Sequence, residues 1–405
     1  MTKARNYVFF VSTMDRAYLS KLILIASECL AHIHPCCDRA TLYGLLSREC
    51  FIHGREFEGL AQIDTAYKYV DAESNPITKS AGLISIASAF VEAGKFKNAV
   101  SACRVASSIL FGQNDLVSSL QESALAIVYS KIGEDKMSQE IASRIVFRGD
   151  RRSDILAKLS RAYAIRIYVY AGDLLNAEKN LCDCFYAAKE LALLHSVYDL
   201  KQSSNSSARR RAIWIESHSL AHCVVLAVLM IWYSLEGSLG YVFRIWQSVK
   251  TAIESEKNND ERLRIASLAC LALRNSNETT EAQRLFELIK GWRYEVGNND
   301  LSSATREELA RLFVAFGDLD YAISLNGQRR ESTIDGILNS IIIQLIEDGN
   351  YNSPINIIEN ANDLIKARVL FNCVLKLLGR NACCSEKNLS DMERIAYKLN
   401  STRQP

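Results

Sequence analysis

The stretch SAGLISIASAFVEAGKFKNAVSACRVASSI, residues 80–109, decides the fold. Leu83, Ile86, Ala87 and Phe90 recur at the three-and-four spacing that lines one face of an α-helix. Gly94 interrupts the pattern, and Phe96, Ala99, Cys103 and Ala106 resume it on a second helix. Ile84 and Val91 add apolar surface on the other side of the first helix. A pair of helices this short has too little core to stand alone, so neighbouring pairs must supply the rest by stacking.

Outward from this pair, the same frame places turns at Gly54, Gly94, Gly133, Gly172, Gly237, Asn277, Gly317, Gly349 and Gly379. They recur about every 40 residues, with a wider gap before Gly237 and narrower ones after Gly317. Four residues before each turn stand bulky or apolar side chains: Cys50, Phe90, Tyr129, Tyr168, Tyr233, Leu273, Phe313, Leu345 and Leu375. Five residues after most turns stands a small one: Gly59, Ala99, Ser138, Ala177, Ala282 and Ala322, with Val242 and Pro354 the exceptions. Large residues before the turn fill the space between pairs, and small ones after it let the second helix approach the first. Glycine suits the left-handed cap between them, and asparagine tolerates it.

The segments AGKFKNA (93–99), AGDLLNA (171–177) and FGDLDYA (316–322) carry a glycine, an apolar residue two later and an alanine five later. In this they resemble the helix–turn–helix signature of the tetratricopeptide repeat, over about residues 40–380. The period is longer than that family's ~34 residues. No tryptophan opens the first helices, and most repeats are not closed by proline. The resemblance implies an all-α fold: a right-handed α-solenoid of about nine stacked antiparallel helix pairs.

The wide gap implies an insertion. KQSSNSSARRR, residues 201–211, has no apolar periodicity and reads as an exposed polar loop. The expected organisation is an amino-terminal array over 1–200 and a carboxy-terminal array over 212–400, joined through this loop. Arg209, Arg210 and Arg211 at its end read as a solvated tip.

Composition narrows the function. The 405 residues carry 48 basic and 46 acidic side chains, and the balance holds in both halves, so bulk charge nominates neither nucleic acid nor a membrane surface. The longest apolar run, Cys223 to Leu235, is shorter than the ~20 residues of a membrane span. The apolar run from Tyr7 to Met14 closes on Asp15 and Arg16 without the small-residue pattern of a cleaved signal. With no export signal read, the 12 cysteines are expected to be reduced and packed, and the chain to be cytoplasmic.

Candidate chemistry is sparse. His32, His34, Cys36 and Cys37 lack the paired spacing of a structural zinc site. His218 and His222 share a helix face, but Ser219 stands where a zinc protease needs its glutamate. Cys182, Cys184, Cys383 and Cys384 show no thiolate-stabilising pattern, and His53 and His195 are single histidines in helical stretches. Phosphate-binding glycine loops and nucleophile elbows are missing. The expectation is no enzyme, no metal and no cofactor.

In the resembling family the first helices line a concave groove that accepts a peptide segment or helix. Arg48, Ile127, Arg166, Ile231, Leu271, Arg311 and Ile343 fall six residues before their turns, and Arg274 lies nearby. With Ile84 and Val91 they form the candidate partner-binding groove. Its guanidinium groups suit an acidic or phosphorylated segment, unless they pair with carboxylates of the adjacent repeat. The lysine and asparagine arrangement of the family's carboxylate clamp is absent. The leading expectation is a protein-interaction scaffold or adaptor, a class that includes secretion chaperones and bacterial effectors. The alternatives are a helical-repeat RNA binder, against which the near-neutral charge argues, and a regulator whose curvature a small ligand controls.

Overall fold

The computed structural model describes residues 16–33, 39–111, 116–150, 155–194, 222–234, 237–256, 258–296, 300–325, 338, 340–346, 348–350, 352–358, 363–379 and 386–401. Among these residues the structure is all-α, with no strand. The first part runs α1 (Arg16–His32), α2 (Arg39–Ile52), α3 (Glu56–Ala72), α4 (Pro76–Glu92), α5 (Phe96–Leu110), α6 (Leu116–Ile132), α7 (Asp135–Asp150), α8 (Ile155–Tyr170) and α9 (Leu174–Leu194). Then come α10 (222–234), α11 (Leu239–Ser255), α12 (Asn259–Asn275), α13 (Thr279–Tyr294), α14 (Ser303–Ala315) and α15 (Leu319–Ser324). The series closes with α16 (340–346), α17 (Asn352–Ile358), α18 (Asp363–Gly379) and α19 (Glu386–Ser401). The 201–211 segment, Arg209 to Arg211, His34, Cys36, Cys37, His195, His218, Cys383 and Cys384 lie outside the described residues.

The turn frame is realised atom by atom. Gly94 adopts φ 67°, its N–H donates to the Val91 carbonyl (3.0 Å), and the next N–H, of Lys95, donates to Phe90 (2.8 Å). This pair of bonds satisfies carbonyls that a helix end otherwise leaves open. Positive φ recurs at Gly54, Gly133, Gly172, Gly237, Gly317 and Gly349, and at Asn277 (φ 62°). In every one of these turns the residue four before is the acceptor of the bond that spans five residues, as in Arg55 to Cys50 and Asp318 to Phe313. Its side chain is buried at the same time. Gly379 departs from the expectation: it ends α18 without left-handed φ.

The small residues five after the turn let the two helices of a pair touch. The Ser47 hydroxyl donates to the Gly59 carbonyl (2.7 Å), that of Ser138 to Ala126 (2.8 Å), and the Cys270 thiol to Ala282 (3.2 Å). Each bond crosses the same sequence separation, from one helix to its partner. Between pairs, α4 packs on α2 and α3, α6 on α4 and α5, and α8 on α6 and α7. The α2–α4 approach is so close that a methyl on Gly44 would lie 2.4 Å from Ser85 Oγ. Packing continues from α9 to α11, from α11 to α12 and from α12 to α14.

Helix starts are also specified locally. Asn75 caps α4 through the amide of Ile77 (2.9 Å), with Pro76 at the first helical position. Asn258, Ser302 and Asp318 cap α12, α14 and α15. One further packing relation runs against chain order: α1 packs on α18 and α19 more extensively than on α2.

Candidate partner-binding face

The helices preceding the turns position the residues expected to line the groove. Val91, Ile127, Ile231 and Ile343 are half-buried. Ile84 and Leu271 are not on that face: both are buried, Leu271 with 2% of its surface exposed. Ile84 sits in a run of consecutive buried residues on α4, a helix packed against α2, α3, α5 and α6. On α12 every residue from Ile265 to Leu273 is buried, so that helix has no open side over this span.

Two of the expected arginines are engaged. Arg48 binds Glu49 through Nε (3.2 Å) and a terminal nitrogen (2.6 Å). Arg274 binds Asp348, beyond α16, at 2.9 Å. Neither is the adjacent-repeat pairing weighed against an open cationic groove: Arg48 pairs within its own helix, and Arg274 pairs with a residue two hairpins on. Arg311 is half-buried and faces Glu308, whose acidity it restores in part.

Arg166 has a different setting. Its guanidinium lies over the Trp232 ring (5.0 Å) and the Tyr170 ring (5.5 Å), and Tyr163 packs against Trp232 at 5.1 Å. Tyr163, Arg166 and Tyr170 are three and four apart on α8 and so share one face. Trp232 is the neighbour of Ile231 on α10. Burial pushes the Tyr163 hydroxyl above its ordinary pKa, against the opposing pull of Arg166. Tyr170 and Val169 are exposed at its rim. Reading a single position per repeat missed these aromatics, although Tyr163 and Tyr170 were visible at helical spacing around Arg166.

A second group also escaped the sequence reading. Glu261 and Arg264 on α12 and Glu307, Glu308 and Arg311 on α14 form a mixed charge cluster between two packed helices. Burial raises the pKa of all three carboxyl groups, and the arginines only partly offset it. One carboxylate oxygen of Glu261 and one of Glu308 are buried without a hydrogen bond. The residues come from two separate repeats, and no linear motif announces them.

The candidate chemical side chains are packed. His222 and Cys184 are buried, and His53 Nε2 donates to the Leu378 carbonyl (2.8 Å). Cys182 is half-buried beside Glu178 and Arg244. Among the described residues no group of three or more His, Cys, Asp or Glu side chains is placed to hold a metal ion. Among them, too, no helix is long and apolar enough to cross a membrane.

No protein-family model and no curated protein matches the chain.

Proposed function

We propose that the chain is a non-enzymatic protein-interaction scaffold, a tetratricopeptide-like α-solenoid of about nine hairpins that holds a segment of a partner protein against its first helices. The observation that supports this most is the repeated frame itself. A left-handed turn, a buried residue four before it and a close helix contact after it recur along the chain. Such repetition orders a long surface in advance, so that a bound segment bears most of the ordering cost.

The partner segment carries apolar or aromatic side chains together with an acidic or phosphorylated group. Arg48 and Arg274 already bind carboxylates of this chain. Arg166, lying over the Tyr170 and Trp232 rings, is placed at the centre of the recognising face, with half-buried Ile127 and Ile231 as its expected apolar lining. Arginine and aromatic side chains together dominate the energetics of many such contacts.

A photo-cross-linker placed at Tyr170 tests the proposal, with the exposed Tyr186 on α9 as the control position. A discrete protein adduct from position 170, absent from position 186, is the expected result. Adducts from position 186 alone would overturn the assignment of the face. Salt-dependent RNA retention in a filter-binding titration, with no protein adduct, would replace the scaffold with a helical-repeat RNA binder.

A further inference from the structure

We infer that α1 is a closing helix, seated on α18 and α19 in the place that the first helix of one more hairpin would occupy, and that it ties the last hairpin of the array to the first. The argument begins with the packing rule of the other pairs. From α4 to α8 each first helix rests on both helices of the hairpin before it: α4 on α2 and α3, α6 on α4 and α5, α8 on α6 and α7. α1 rests on α18 and α19 in the same way, although it stands at the opposite end of the described chain. It also packs on α2, and α18 itself touches α2.

Specific contacts mark this seam. Lys21 of α1 pairs with Glu393 of α19 at 3.3 Å. His53, at the turn after α2, donates to the Leu378 carbonyl near the end of α18 (2.8 Å). Cys29 of α1 and Cys373 of α18 are both fully buried and lie within electrostatic reach of each other. Leu22 and Leu30 have no exposed surface, as expected of a helix covered on more than one side.

Arg274 at the end of α12 reaches Asp348 beyond α16, so the turn ends of first helices two hairpins apart meet. Closure therefore fixes the curvature, and with it the width of the face that carries Arg166.

The inference rests on the helical-repeat reading above but not on the existence of a partner. Zero-length carbodiimide cross-linking of the full-length monomer, read by mass spectrometry, tests it. Lys95–Glu56 (3.0 Å) and Lys131–Glu92 (3.2 Å) join neighbouring hairpins and serve as internal controls. Closure predicts a Lys21–Glu393 link in the monomer at a yield comparable to the controls. Links at the controls without the Lys21–Glu393 link, or that link only between two chains, would overturn it. Failure of the controls would instead strike at the repeat packing itself.

A second measurement uses hydrogen exchange. Leu30→Ala in α1 is expected to speed exchange in α18 and α19 by more than about tenfold, while leaving α5 unchanged. Unchanged exchange in α18 and α19, with α2 loosened, would overturn closure.

Discussion

Replacing Gly94 by alanine isolates the conformational term that the repeat depends on. Gly94 holds φ 67°, and a methyl group built on it meets no atom within 4 Å. No clash contributes, so the cost is that of an L side chain in the left-handed region, about 1–2 kcal/mol. Alanine also narrows the unfolded ensemble, which offsets about 0.4–1 kcal/mol. The net loss is about 1 kcal/mol, roughly a fivefold rise in the local opening constant. Gly94→Asn should cost clearly less, because Asn277 occupies the equivalent position at φ 62°. A repeat array need not unfold in one step, so a global melt is a poor readout. Hydrogen exchange in α4 and α5 reports the local opening directly. A harmless alanine, or an asparagine as costly as alanine, would refute the claim that backbone handedness at this turn sets the hairpin.

Three more outcomes are expected. Ala99→Leu forces bulk into the contact of α5 with its partner, where Ala99 is fully buried, and should cost about 1–3 kcal/mol in a denaturant titration, unlike Lys97→Leu on the exposed face. Burial pushes the Cys50 and Cys103 thiols up to about 12, so at pH 8 an alkylating reagent should label half-buried Cys182 first and reach Cys50 and Cys103 only after denaturation, as peptide mapping would show. Burial raises the carboxyl pKa of Glu308 in the fold, so the native state binds its proton more tightly than the unfolded chain does. Its contribution is then most favourable below the ordinary carboxylate pKa and is lost as pH rises through the folded value. Glu308→Gln should raise the melting temperature at pH 7, with the gain disappearing near pH 4.

The turns were legible because they depend on local chemistry. A glycine or asparagine with a bulky residue four before it needs no distant partner to form its cap, and all but Gly379 of the expected positions hold the left-handed backbone. The small residues after the turn were legible for the same reason, since their contact is with the helix just left behind. The lining of the face was less so. Ile84 and Leu271 are aliphatic like the half-buried Ile127 and Ile231, and only their burial among neighbouring helices separates the two cases. Arg274 finds its carboxylate in another repeat, as do Glu307 and Glu308 their neighbour Arg264. The packing of α1 on α18 and α19 joins segments more than three hundred residues apart, which no local pattern encodes.

That packing constrains how this chain can diverge. An open stack tolerates duplication or loss of an internal unit, because only the two flanking copies need to readjust. Here an added unit would carry Glu393 away from Lys21, and a deleted one would drive the two into a crowded overlap. In a closed array, copy number is therefore a geometric quantity rather than a free one.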